Sequence, residues 1–324
     1  MRAAPERRPD HGRQERQDLP GPPGRGHPGP PGRGHPGLPG RRTGRTPAGT
    51  AYTLHQPPLT PPGTVCGVPS EAAPPVVLVA GAGGSGGIWE HHQVPALTSA
   101  GRRVVTFDHG PAAGGPADPA DRLRELLTAL GLPPCPLVGH SLGAFAVQEL
   151  LLTDPHLASG ALLAATRGRP DAVGEALARA EAATAAAGTR LPAEYEAFVR
   201  LVQNLSPRTL ADEGAAAEWL DLFEVAALSG VSAAARGPAL PVTDRLAAYG
   251  RIPVPVLVVG FADDVLAPAP LGREVAAAIP GARYAQLPDA GHLGFLERPE
   301  AFNSLLFDFL AAVAPTDPGV SRVP

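Results

Sequence analysis

Three observations predict an α/β fold with a mostly parallel sheet, helices on both faces and a helical lid insertion. From residue 75 onward, short continuous apolar runs alternate with segments of helical spacing. One of those runs leads into Gly139-His140-Ser141-Leu142-Gly143, with a helix-forming stretch immediately after it. Between the fourth and fifth runs lies an Ala-rich stretch, residues 167–248, that is too long to be a structureless loop inside one domain. Strands that alternate with helices imply a parallel sheet covered on both faces.

The elements follow in order. Residues 1–73 read as a disordered Pro/Gly/Arg-rich tail. The chain holds 39 Gly and 41 Pro, many of them there, and the octapeptide Gly-Pro-Pro-Gly-Arg-Gly-His-Pro occurs at 21–28 and again at 29–36. Gly21, Gly24, Gly26 and Gly29 break the every-third-residue period of a collagen helix. Such a segment buries too little apolar surface to offset its ordering entropy. No opening β-hairpin is read before Pro74. Apolar runs at 76–80, 104–107, 136–138, 161–165, 255–259 and 282–287 are the expected strands, and 123–130, 144–152 and 299–313 the expected helices. The expected organisation is a core of 74–166 and 249–314, a helical lid at 167–248, and a tail at 315–324.

Charge and composition exclude several classes. Residues 1–50 carry ten Arg against four acids, whereas the whole chain has a net charge of −4, so the globular part is acidic and suits no polyanion. No nucleic-acid partner is expected for it. The basic arm keeps open an alternative role as an adaptor for a polyanion. No apolar run is long enough to span a bilayer and no secretory leader is read, so the expected location is the cytoplasm. Cys66 and Cys135 fit no metal or redox spacing, and no metal or cofactor is expected. His91, His92 and His109 lack a convergent ligand spacing and read as surface or supporting histidines. Oligomeric state is not legible.

The motifs carry the chemistry. Gly139–Gly143 is a G-x-S-x-G nucleophile elbow, in which a serine sits on a tight strand-to-helix turn and glycines two residues away let strand and helix approach. The turn aims the N–H of Leu142 at the position of an oxyanion. The stretch 289–300 places His292 in a loop after the last strand, where a general base can reach the serine. After the strand at 255–259, Asp263 and Asp264 compete for the acid that fixes the histidine tautomer. A G-x-x-D count from Gly260 gives Asp263. Asp264 lies four residues before Pro268, the usual spacing in related sequences, and fits the distance from the strand start, so Asp264 is preferred. The glycine-rich turn after the first run assigns the second oxyanion N–H to Ala82 by position. This turn lacks the G-K-[ST] ending of a phosphate loop. Trp219 and Phe223 share one helical face of the lid, either lining an acyl pocket or packing the lid onto the core.

Over residues 74–314 the chain resembles the α/β-hydrolase fold. It is most similar to the cofactor-free, non-haem bromoperoxidase and chloroperoxidase group. The matching stretches are 92–96, 165–169, 260–264, 271–276 and 289–299. The resemblance implies a Ser/Asp/His triad at Ser141, Asp264 and His292. It also implies hydrolysis of a small-molecule acyl ester, with perhydrolysis as a side activity and no haem or metal. A non-catalytic small-molecule-binding module on the same fold is the alternative.

Overall fold

The computed structural model describes residues 40–58, 73–83, 85–108, 118–189, 191–229 and 243–314. Residues 37–324 cluster as one unit; residues 1–36 form a second and lie wholly outside the described residues. The repeats at 21–36, together with Cys66, His109 and the tail 315–324, are likewise outside them.

Six strands are parallel: β3 (Val76–Val79), β4 (Val104–Phe107), β5 (Cys135–His140), β6 (Ala158–Ala164), β7 (Val256–Phe261) and β8 (Arg283–Leu287). Each coincides with one of the apolar runs. Two further strands, β1 (Arg41–Arg45) and β2 (Ala51–His55), form an antiparallel hairpin that joins the sheet on β4. Among the described residues the sheet has eight strands in the order β1-β2-β4-β3-β5-β6-β7-β8. The hairpin corrects the expectation that all of 1–73 is a disordered tail. Arg41-Arg42-Thr43-Gly44-Arg45 shows no apolar alternation, so nothing local marks it as a strand. It is held by partners distant in sequence: Tyr52 to His55 pair with Phe107 to Val104, and the hydroxyls of Thr46 and Thr50 donate to Glu125 at 2.9 and 3.0 Å.

The central strands are buried on both faces, which is why they read as continuous runs. Alternate residues still serve different layers. Val76, Leu78, Val138, Leu162 and Val259 join a cluster with Trp89, Leu97, Phe295, Phe302 and Phe309, from the 3-10 turn Gly86–His91, α1 (Gln93–Ser99) and the C-terminal segment. Val77, Val79, Leu137, Leu163 and Val258 face α2 (Pro119–Ala129), α3 (Leu142–Thr153) and α9 (Ala269–Ala278). The stretch expected as a lid contains α4 (Ala172–Ala186), α5 (Ala193–Asn204), α6 (Pro207–Leu210), α7 (Glu213–Leu228) and α8 (Leu246–Tyr249). Its Ala197, Leu201, Leu205 and Phe223 are buried in the first cluster. The chain ends in α10 (Gly294–Glu297) and α11 (Pro299–Ala312). Among the described residues no helix is long and apolar enough to cross a membrane.

β3 has β4 on one side and β5 on the other, so the strand order reverses there. The carboxyl edge of the sheet at such a reversal is the usual ligand position in open α/β sheets.

Candidate active site

Ser141 stands at that reversal, between β5 and α3, with φ 53° and ψ −117°. A non-glycine residue in this region stores about 1–3 kcal/mol of strain, held here by contacts that leave no room for relaxation. Ser141 N donates to Ala164 O at 3.0 Å, and Phe145 N donates to Ser141 O at 3.0 Å. A Cβ on Gly139 would lie 2.6 Å from the Ala144 backbone, and one on Gly143 only 2.2 Å from Val79 O. Both glycines of the motif are therefore demanded by close backbone approach. Leu142 is the first residue of α3, so its N–H has no acceptor within the helix.

The turn after β3 lies against the serine. A Cβ on Gly81 would be 3.2 Å from Ser141 Cβ and 2.9 Å from His140 Nδ1. Ala82, the next residue, is exposed in that turn.

Asp264 and His292 come from loops after β7 and β8. Two backbone bonds join those loops: Ala262 N to Leu287 O and Asp263 N to Ala290 O, both 2.9 Å. Asp264 Oδ1 accepts from the N–H groups of Leu266 and Ala267, each at 2.8 Å, in a turn that closes just before Pro268 and α9. That turn points the carboxylate inward. His292 Nδ1 lies 3.0 and 2.9 Å from its two oxygens, with the Asp264 side chain fully enclosed and that of His292 9% exposed. Asp263 is half-buried, and its backbone, rather than its carboxylate, bonds the His292 loop. Of the two candidate acids, the structure therefore brings Asp264 to the histidine. Burial is the largest influence on the Asp264 carboxyl and raises its pKa. The charge and hydrogen bond of His292, with the two backbone N–H groups, outweigh it and hold the carboxyl below the usual range.

His140 connects the serine to this pair. Its Nε2 lies 2.8 Å from His292 O, and a carbonyl only accepts, so Nε2 carries the proton. The two rings are 4.9 Å apart, and Phe295 packs on His140 at 4.7 Å. Among the described residues no hydrogen bond joins Ser141 Oγ to His292 Nε2.

Burial, and then the nearness of His292, push the His140 imidazole down to about 3 from 6.5. Between those values an unfolded chain binds a proton that the folded one does not, so stability rises with pH across the window. Acidification from pH 7 to pH 5 is expected to remove about 2 kcal/mol through this group. His55, lowered to about 4 by burial and Arg41, acts in the same direction. Urea midpoints measured from pH 7 to pH 5 should fall, and His140→Gln should flatten the fall. A level midpoint in the parent protein would show that this imidazole is not held neutral.

A recess beside Ser141 is lined by Phe145, Ala165, Thr166, Arg167, Gly168 and Arg169. Its rim is tied down. Arg167 donates to Asp171 at 2.8 Å, Arg169 makes two bonds to Glu274 at 2.6 and 2.7 Å, and Thr166 bonds Gln148, which donates to Tyr249 at 2.6 Å. Nothing in the sequence marks these residues for the site, although the loop after β6 also leaves the carboxyl edge of the sheet. Trp219 and Phe223 are not among the lining residues. They stack on each other at 5.5 Å and pack against the first hydrophobic cluster, which favours packing of the insertion over a pocket wall. His91 is exposed and His92 half-buried.

Comparison with known proteins supports the same picture. Residues 76–305 match the profile of the alpha/beta hydrolase family. A Mycobacterium tuberculosis (strain H37Rv) protein named as a non-heme bromoperoxidase, BpoC, is 45% identical over 249 residues, covering 74% of this chain and 94% of the relative. A Klebsiella pneumoniae (strain 342) protein named as a carbamate hydrolase, RutD, is 35% identical over 268 residues, covering 76% and 95%. The crystal structure of BpoC superposes with a TM-score of 0.71 at 41% identity, covering 82% of this chain and 96% of that one. A hydrolase from Pseudomonas aeruginosa superposes with a TM-score of 0.64 at 26% identity, covering 85% and 99%. Strand order, elbow and profile agree: the chain belongs to the alpha/beta hydrolase family.

Proposed function

We propose that the protein is a serine-nucleophile hydrolase that cleaves an ester-type acyl bond through an acyl-enzyme. The observation that carries this reading is the enclosed Asp264–His292 pair, linked through His140 to a strained serine at a strand-to-helix turn. Ser141 Oγ attacks the acyl carbon while His292 Nε2 takes its proton. Asp264 holds Nδ1–H, which leaves Nε2 as the acceptor and stabilises the imidazolium. The N–H groups of Leu142 and Ala82 receive the oxyanion. Collapse breaks the bond to the alcohol, which leaves with the proton from His292. Water, deprotonated by the same imidazole, then attacks the acyl-serine and releases the acid. Hydrogen peroxide in place of water would release a peracid, the perhydrolase side activity. None of these steps calls for a cofactor. Phe145 and Ala165 give the recess beside Ser141 an apolar side.

Labelling with a fluorophosphonate, followed by mass spectrometry of the modified peptide, tests this without knowledge of the substrate. Modification is expected at Ser141 in the parent protein and in neither Ser141→Ala nor His292→Ala. A folded parent protein that resists the probe would overturn the reading.

A further inference from the structure

Glu297 is outside the chemistry just described, yet its half-buried carboxylate joins two parts of the chain that are about ninety residues apart. Oε2 accepts from Gly291 N at 2.6 Å, the residue before His292. Oε1 accepts from Ser206 N at 2.8 Å, Ser206 Oγ at 2.7 Å and Thr209 Oγ1 at 2.6 Å, at the junction of α5 and α6. A carboxylate that accepts several donors at such distances makes charge-assisted bonds, stronger than those of a neutral amide. The junction also touches the histidine loop directly. Leu293 N donates to Asn204 O at 3.1 Å, and a Cβ on Gly291 would fall 2.6 Å from both Asn204 O and the Leu205 carbonyl carbon. Arg298 adds long contacts to Thr209 Oγ1 and Ser206 Oγ at 3.4 and 3.5 Å. The residues on both sides of His292 are thus held by the insertion, one through Glu297 and one through backbone.

We propose that Glu297 is a positioning residue that couples the helical insertion to the His292 loop, so that the seating of the α5–α6 junction sets where the imidazole stands. The link to catalysis rests on the acyl-hydrolase reading above; the mechanical coupling does not. Displacement of a general base by about 1 Å costs on the order of 100-fold in rate. A motion of the insertion, such as one caused by a bound acyl group, would therefore reach His292 without touching it.

Two variants cut the tie from opposite ends. Glu297→Gln replaces one acceptor by an amide N–H₂ that opposes the N–H of Gly291 or the donors of the junction. Ser206→Ala/Thr209→Val leaves Glu297 and the histidine loop intact and removes both hydroxyl donors; Ser206→Ala alone is the milder form should the double variant not fold. Hydrogen exchange across 289–293 is expected to speed up in both, although the second changes no residue of that loop. With p-nitrophenyl butyrate as probe, kcat should fall about 10- to 100-fold and KM should stay within about 2-fold, a split that general loosening of the fold would not produce. The combined variant should lose no more than Glu297→Gln alone. Unchanged exchange in 289–293 for a folded Ser206→Ala/Thr209→Val variant overturns the coupling. Faster exchange with unaltered kcat overturns the positioning role. A parent protein that is not labelled at Ser141 removes the catalytic reading, while the exchange result still decides the coupling.

Discussion

Asp264→Asn is expected to lower kcat for an activated ester by about 10³- to 10⁴-fold, and Asp263→Asn to stay within about 2-fold of the parent. The two carboxylates are neighbours in one loop, yet only that of Asp264 lies within 3.0 Å of His292 Nδ1. An asparagine at 264 can turn its N–H₂ toward Nδ1. The imidazole then carries its proton on Nε2 and cannot take one from Ser141. Loop geometry should survive, because the amide oxygen still accepts from Leu266 and Ala267. Steady-state kinetics together with the fluorophosphonate labelling rate separate the cases. If Asp263→Asn produced the large loss and Asp264→Asn the small one, the assignment of the acid would be reversed.

Gly143→Ala is the substitution expected to cost most in stability, about 3 kcal/mol. The added methyl would sit 2.2 Å from Val79 O and 2.5 Å from Ala80 O, both backbone atoms at the carboxyl end of β3. Neither can turn aside as a side chain would. Any accommodation must move α3 away from β3, which would shift Leu142 and Ser141 together. Loss of stability and of serine reactivity should therefore appear in one variant. Gly214→Ala is the matching control. Its methyl would meet only Asp212 Oδ1 at 3.4 Å in the first turn of α7, where alanine favours the helix by up to about 1 kcal/mol. Urea midpoints with unchanged slopes would measure both. A Gly143→Ala protein as stable as the parent would mean that the close approach of α3 to β3 is not a constraint.

Much of this architecture is legible in the sequence. Strands such as Val76–Val79 and Val256–Phe261 are buried on both faces, and that burial requires the uninterrupted apolar runs by which they were recognised. The elbow was legible because Gly139 and Gly143 are compelled by local backbone contacts, and a local constraint leaves a local motif. His292 followed from its place in the chain, after the Asp263-Asp264 pair and in the loop beyond the last strand.

What the sequence alone determined, then, was set by short-range sterics and by burial pattern: the α/β class, the six parallel strands, and the elbow that places Ser141 at the carboxyl edge of the sheet. Only the tertiary structure decided the rest. The hairpin at 41–55 exists because β4 offers a free edge to it, and a run of arginines bears no trace of that edge. Asp264 and Asp263 have the same chemistry, and they differ only in how a three-residue turn directs each side chain. Trp219 and Phe223 share a helical face whichever partner it meets, and only the folded insertion shows that face against the first hydrophobic cluster. Glu297 reads in the chain as one more surface carboxylate. Its four donors come from Gly291 and from residues 206–209, and only folding brings those two segments to a single side chain.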